Sequence, residues 1–342
     1  KKTFFFFFFL ALTSFLLLSS YQLSAIEDNV GVQDVSTFEF DLKDGAGAEP
    51  GKNWYSIDGG AAILHLSNKK NLWKKIKKMK KPGDVFFGPV TIEGPMLPME
   101  YRTDLLSILN DWARSQGTRW NSTLTLQDSS RTTLRTIHFK ECIPLSYTPP
   151  SVRAGDSSLL EEEFVFKPMI VEEVAGSIPT KNKSIGNYNI LQGADPIDLI
   201  LTSDTFGFEI NGQELSVLEV IPGRVSFKLS RAKVNKKIDN HKWFTIIQVD
   251  YGEWEVKKHI IKGDTLLRTL FENFAKGTTG AEGSPSGINA TLSYHDRAGM
   301  TKRTIYAHNI IPVSYESAAV DSRNGTVATE SLRFRVEYCT FE

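Results

Sequence analysis

Few side chains in this sequence could do chemistry, and their spacing matches no catalytic or metal-binding pattern. The histidines are His65, His138, His241, His259, His295 and His308. They include no i, i+4 pair and no H-E-x-x-H motif. The chain also lacks a G-x-S-x-G motif and a glycine-rich phosphate loop of Rossmann or Walker type. The sequence therefore predicts no catalytic residue, no cofactor-binding residue and no metal ligand, and a protein that is not an enzyme.

A block at residues 121–166 occurs twice, and it organises the rest of the chain. NSTLTLQD at Asn121 recurs as NATLSYHD at Asn289, and TIHFKECIPLSY at Thr136 recurs as TIYAHNIIPVSY at Thr304. The register holds without a gap to the end of the block. The residues that recur are those of strands, turns and packing. A long shared spacing of this kind is typical of internal duplication, so we predict two copies of one β-rich domain.

Comparing the two copies shows which residue of the acidic run at 161–163 recurs. Glu161, Glu162 and Glu163 could suggest a metal site, but only Glu162 recurs, as Glu330. This favours a structural role, such as an ion pair across a subunit contact. Arg135 and Arg303 are plausible partners, because both copies retain this arginine in the second strand of the block.

The two cysteines, Cys142 and Cys339, have apolar counterparts in the other copy, Ile310 and Val171. Buried cysteines that pack like apolar residues are favoured over a disulfide. A bridge between copies or subunits remains an alternative. The sequence has no C-x-x-C zinc spacing.

The predicted elements are the same in both copies. Alternation of apolar and polar residues predicts strands at residues 38–42, 61–66 and 85–93, with a counterpart of the first at 206–210. A helix is predicted at 104–114, capped by Thr103 or Asp104, and a second follows Asp264 or Thr265 as cap. Three strands come next, at 122–126, 133–143 and 162–167 in the first copy. Asp128 and Asp296 fit hairpin turns. Pro144 and Pro312 should each mark a strand end, bulge or edge.

Residues 69–81 carry eight lysines around apolar positions at helical spacing. One hypothesis is a helix that binds anionic lipid or a polyanion. The alternative is a lysine face in contact with solvent only, which is favoured because the formal net charge of the chain is zero. Net neutrality also predicts no nucleic-acid partner.

The N-terminal segment predicts export. Lys1 and Lys2 precede a run of apolar residues that ends in small and polar ones near Ala25. This is the pattern of a secretory signal peptide; an uncleaved membrane anchor is the alternative. After signal removal we expect no stable membrane span, and a secreted, extracellular protein with the cell surface as a further location.

Several short motifs resemble the tail-tube proteins of contractile-tailed bacteriophages and, more distantly, type VI secretion tube proteins. They are the opening F-x-F-E strand at Phe206, the P-G segment at Pro82, the P-x-S-Y strand at Pro144 and the closing E-x-F strand near Phe166, with a helix that ends in an aromatic residue between them. The resemblance implies a mainly β fold of two tandem β-sandwich or barrel domains, each with one flanking α-helix. It also implies rings of six domains, hence three chains, that stack into a tube.

The resulting division of the chain is a signal peptide at 1–25, a tail-tube-like domain at 26–175, a linker at 176–203 and a second such domain at 204–342. The predicted function is an exported structural protein whose partner is itself, assembled as stacked rings into a hollow tube or filament. One alternative is a secreted monomeric tandem β-sandwich for binding or adhesion, which predicts an exposed aromatic platform drawn from Trp54, Trp120, Trp243 or Trp254. A hydrolase on a β scaffold is disfavoured, because no paired carboxylates or nucleophile set is present.

Overall fold

The protein is described by a computed structural model at residues 37–43, 54–60, 62–68, 80–128, 130, 132–175, 201–231, 244–277, 287–317 and 327–342. The predicted signal peptide, most of the predicted linker and the loop at 278–286 lie outside the described residues. Within them the chain is mainly β with two α-helices, which confirms the predicted fold class.

The first half, residues 37–175, contains ten strands and one α-helix. In chain order they are β1 (Thr37–Asp41), β2 (Ser56–Gly59), β3 (Ala62–Asn68), β4 (Lys80–Phe87), β5 (Val90–Pro95), α1 (Thr103–Ala113), β6 (Trp120–Gln127), β7 (Thr133–Thr148), β8 (Val152–Arg153), β9 (Glu161–Lys167) and β10 (Ile170–Ala175). A short 3-10 turn, Met99–Tyr101, precedes α1.

The second half, residues 201–342, repeats most of this order. Its elements are β11 (Phe206–Ile210), β12 (Gln213–Glu214), β13 (Glu219–Ile221), β14 (Val225–Arg231), β15 (Phe244–Asp250), β16 (Glu253–His259), α2 (Leu266–Ala275), β17 (Ala290–His295), β18 (Thr301–His308), β19 (Ile311–Ser317), β20 (Thr329–Arg335) and β21 (Tyr338–Phe341).

In the described residues each half has two larger antiparallel sheets with matching strand order, and β3 and β4 of the first half form a separate two-stranded sheet. In the first half β1, β6, β7 and β10 form one sheet, while β7, β9, β5 and β2 form the other. In the second half the orders are β11-β17-β18-β21 and β19-β20-β16-β13. The long strand β7 serves both sheets of its half, whereas the second half divides the same stretch into β18 and β19.

The recurring asparagines mark the bend between the two sheets. Glu141 has φ 55° and Asn309 has φ 53°, in the left-handed region that few residues adopt. The side-chain oxygens of Asn121 and Asn289 accept the backbone N–H of these two residues, each at 3.1 Å. The recurring asparagine therefore holds the same bend in both copies.

Several other expectations are confirmed by the turns and ladders. Oδ1 of Asp128 accepts the backbone N–H groups of Ser130 and Thr132, and Asp296 does the same for its own hairpin. The strand register shifts at Pro144 and again at Pro312, as expected of a bulge.

Four expectations about individual elements are corrected. The predicted strand at 85–93 is two strands, β4 and β5, which pair with different neighbours. Lys80 and Lys81, predicted to end a helix, begin β4, while 69–79 lies outside the described residues. Neither Thr103 nor Asp104 caps α1, because Arg102 occupies the cap position without a side-chain cap bond. No strand was predicted at residues 170–175, which pair with β7 as β10.

The core of the first half explains why its two sheets face each other. Phe166 of β9 lies 6.0 Å from the ring of Phe40, 5.9 Å from Phe139, 6.1 Å from Trp120 and 6.1 Å from Phe164. Phe40 and Phe139 belong to one sheet and Phe166 to the other, so the aromatic contacts cross a sandwich. Among the described residues, no helix has the length and apolar character to cross a membrane.

We predict that Phe166→Ala lowers the free energy of unfolding by about 3–5 kcal/mol, because it leaves a cavity among four rings. Ile247→Ala, at an exposed position, is the control and should change it by no more than about 0.5 kcal/mol. Urea unfolding of both variants measures this, and equal losses would contradict the assignment of the core.

Candidate functional site

The most unusual polar feature is a buried ion cluster around Glu162. The Glu162 side chain is fully buried and accepts a hydrogen bond from Arg102 Nε at 2.7 Å. Tyr147 Oη donates to its other oxygen at 3.0 Å. Arg303 Nη1 lies 3.5 Å from the same oxygen, and the Arg303 side chain is only 2% exposed. One carboxylate thus contacts two arginines and a phenol inside the protein.

A glycine opposite Glu162 leaves space for this cluster. Glu162 lies in β9 directly opposite Gly94 of β5, which has no side chain to fill the space. Arg102 reaches in from the start of α1 and also donates to the carbonyl of Pro95 at 3.1 Å. Its guanidinium lies over the ring of Trp54, 4.1 Å from the centroid. Packing from two sides therefore fixes Arg102 at the carboxylate.

Arg303 enters the cluster from the other half of the chain. It lies on β18, and its guanidinium donates to the carbonyl of Leu97 at 3.1 Å and to Tyr147 Oη at 3.2 Å. The predicted ion pair between Glu162 and Arg303 is confirmed, and it joins the two halves of one chain. Arg135, its counterpart, instead pairs with Glu173 at 3.0 Å, and both side chains are about half exposed.

The cluster keeps a fixed protonation state. Burial, followed by the nearby Glu162 charge, raises the pKa of Tyr147 far above its usual range, so the phenol remains a donor. Burial lowers the pKa of Arg102, but the Glu162 carboxylate opposes this shift and arginine stays charged. The Glu162 carboxylate is therefore surrounded by two guanidinium groups and a protonated phenol.

A related site surrounds Glu330 in the second half. Tyr315 Oη donates to Glu330 at 2.6 Å, as Tyr147 does to Glu162. Lys258, buried on β16 opposite Glu330, takes the place that Gly94 has in the first half. It pairs with Asp264 and lies 3.3 Å from Glu330 Oε1. Thr265, one of the two predicted caps, occupies the cap position of α2 without a side-chain cap bond, while Asp264 before it accepts the backbone N–H of Leu266.

Strand pairing and packing extend the contact between the halves. β14 of the second half pairs with β7, placing Val225 opposite Tyr147, and β8 of the first half pairs with β13. Asn110 of α1 exchanges two hydrogen bonds with the backbone of Phe341, at 2.8 and 3.0 Å. The ring of Phe341 meets Tyr147 edge-on. The halves thus share continuous sheets as well as the ion cluster.

The remaining candidates for chemistry lie apart from one another. His138 shares a hydrogen bond with Thr123, and His308 stacks on Tyr338, where burial lowers its pKa. In the described residues, no group of three or more His, Cys, Asp or Glu side chains could hold a metal ion. Cys142 and Cys339 are both buried and are not joined in a disulfide, which confirms the interpretation as apolar-type cysteines. Burial raises the pKa of the Cys339 thiol.

Three of the four tryptophans named for the binding-module alternative are not exposed. Trp54, Trp120 and Trp254 are buried in the core, and Trp243 lies outside the described residues. The indole rings of these three fill space between strands and cannot face a ligand. Within the described residues, the tryptophans therefore give that alternative no exposed platform.

Sequence reasoning missed Arg102 and the role of Tyr147. The signal for Tyr147 was present, because Tyr147 and Glu162 both recur at the same spacing as Tyr315 and Glu330. No signal in the sequence indicated Arg102, because the second half uses a cation from another element, Lys258 of β16, beside its glutamate.

Comparisons of sequence found no matching family model and no similar curated protein. The structure is similar to a chain of the sheath-tube complex of an extracellular contractile injection system, PVC, with 14% identity and a TM-score of 0.33, covering 40% of this chain and 87% of that one. A chain of the tube-terminating cap of the anti-feeding prophage has 11% identity and a TM-score of 0.37, with 45% and 98% covered.

A third similar chain is Hcp1 from Flavobacterium johnsoniae, with 12% identity and a TM-score of 0.26, covering 40% of this chain and 94% of that one.

We predict that Glu162→Gln lowers the free energy of unfolding by about 3–5 kcal/mol, because two guanidinium groups stay buried without a carboxylate. Arg303→Met should cost less, roughly 1–3 kcal/mol, because the Glu162–Arg102 pair stays intact. Chemical unfolding of both variants measures the difference. A larger loss for Arg303→Met would show that the arginine from the second half is the dominant member.

Proposed function

We propose that this protein is a non-enzymatic structural subunit that self-assembles into rings, and through stacked rings into a hollow tube or extracellular filament. One observation carries the proposal, namely the contact around Glu162. It joins two halves of like strand order through different faces, with Arg303 of one half inserted beside Glu162 of the other.

A contact between unlike faces leaves each of the two partners with one unoccupied face. Each half that receives a neighbour on one face still presents the opposite face, so repetition gives a closed ring or an open filament. Strand pairing across such contacts also covers sheet edges that would otherwise expose unpaired N–H and C=O groups. The pairing of β14 with β7 shows how one half extends the sheet of the next.

The form of the assembly follows from the division of the chain. If each half is one unit of a six-unit ring, as the tube-protein resemblance implies, three chains close it. The signal-like residues 1–25 support export of the subunit. The polar N-terminal arm at residues 26–37, the lysine-rich segment at 69–82 and the loop at 277–287 are the proposed contacts between stacked rings.

Negative-stain electron microscopy of the purified chain, across salt and protein concentration, tests the proposal. We expect rings or tubes whose abundance rises with concentration. A parallel sedimentation-velocity series should show the matching loss of monomer. Only monodisperse monomers under every condition would remove self-assembly as the function.

A further inference from the structure

Each face of the contact between the halves has an equivalent elsewhere on the same chain. Arg303 on β18 corresponds to Arg135 on β7, since the two lie at the same place in the repeated block. The receiving residues Tyr147 and Glu162 correspond to Tyr315 and Glu330. The chain therefore carries one unused inserting face on its first half and one unused receiving face on its second half.

Burial separates the used faces from the unused ones. The Arg303 side chain is 2% exposed, but that of Arg135 is 54% exposed. On the receiving side, Leu97 is 3% exposed, whereas its counterpart Ile261 is 53% exposed. The match is structural, because the N–H of the preceding residue bonds to the carbonyl of Leu160 in one half and of Ala328 in the other.

Further large apolar side chains follow the same rule. Met96 is buried and its counterpart Ile260 is exposed. Ile143 is buried and its counterpart Ile311, on β19, is exposed. Ile260 and Ile261, which follow the buried Lys258 in sequence, are two neighbouring exposed apolar side chains, as is typical of a surface that a protein partner covers.

The charges of the receiving site leave one cation to be supplied. Glu330 and Asp264 carry two negative charges, and Lys258 supplies one positive charge. Glu330 Oε1 is buried without a hydrogen-bond partner, because Lys258 lies within ion-pair distance but outside hydrogen-bond geometry. Arg135 can supply the missing donor and charge. Its present pair with Glu173 is half exposed, and such pairs hold a side chain weakly.

Strand pairing shows the same difference between the used and the unused faces. Within the described residues β14 adds to the edge of β7, whereas β19, the counterpart of that part of β7, is an edge strand. The hairpin of β3 and β4 is the counterpart of β14 and β15, and in the described residues its strands pair only with each other. By register, Ala62 corresponds to Val225 and Ile63 to Ser226.

We propose that Arg135 of one chain inserts beside Glu330 and Tyr315 of a second copy of this chain, while β3 of the first chain pairs with β19 of the second. In that pairing Ala62 faces Tyr315 and Ile63 faces Ser314. This rests on the proposed function, since it names the residues through which subunits join. The contact between chains then repeats the contact within the chain.

Site-directed disulfide formation tests the strand register. Opposed residues of an antiparallel pair lie close enough for a disulfide, so Ile63→Cys and Ser314→Cys in one full chain should give a ladder of cross-linked multimers on a non-reducing gel. Each single variant alone should give none, while an equimolar mixture of the two should give dimers. Ser146→Cys with Ser226→Cys is the matched control and should link within one chain.

Charge reversal tests the side-chain contact. Arg135→Glu should weaken self-association at least about tenfold, because it places a third negative charge beside Glu330 and Asp264. Lys140→Glu is the matched control, since Lys140 forms the neighbouring exposed ion pair of the same two strands, with Glu172. It should associate as the parent does. Both variants should melt within a few degrees of the parent, which separates association from folding.

Three outcomes are distinguishable. Cross-linking of the mixture together with loss of association in Arg135→Glu supports the inference. Rings or tubes that form normally with Arg135→Glu, and without cross-linking of the mixture, overturn it and leave self-assembly in place. Monomers alone in every variant and in the parent overturn both this contact and the proposed function.

Discussion

The buried carboxylate of Glu162 is the constraint on which the arrangement of the two halves depends. A charge at that depth is tolerated only with opposite charges and hydrogen bonds around it. Arg102 and Tyr147 come from its own half, and Arg303 comes from the other. Arg303 is itself buried, so separating the two halves would remove the Arg303 guanidinium from its carboxylate and expose Glu162 to solvent. The ion cluster therefore fixes the contact to one geometry, and strand pairing between the halves extends that contact.

The two halves balance the charge of their buried glutamate with different residues. In the first half Gly94 leaves a space opposite the glutamate, and two arginines fill it. In the second half Lys258 occupies that position and is balanced by Asp264 at the start of α2. The first site is complete within the chain, whereas the second lacks a donor for Glu330 Oε1. The proposed assembly, with one contact inside the chain and one between chains, accounts for this difference.

Much of this could be predicted from the sequence, because the internal repeat allows positions to be compared. A glutamate and an arginine that recur among divergent charges indicated an ion pair between units, and Glu162 with Arg303 forms it. Pro144, Asp128 and the helices were also identified correctly, since their signals are local. The cap of α1 was not, because Arg102 is drawn to a glutamate sixty residues away. Strand β10 was missed because Glu172 and Glu173 stand together between its valines, so the segment lacks the period-2 alternation of a half-buried strand. The tryptophans could not be placed from composition, as burial depends on contacts between distant strands.

Native mass spectrometry of the assembly in solution tests the central claim, repetition of one head-to-tail contact, most directly. Unlike faces that repeat around a ring predict a closed species of three chains, with larger species as multiples of it. A population that stops at two chains would contradict the account, because a two-chain complex closed by like faces leaves no inserting or receiving face to repeat.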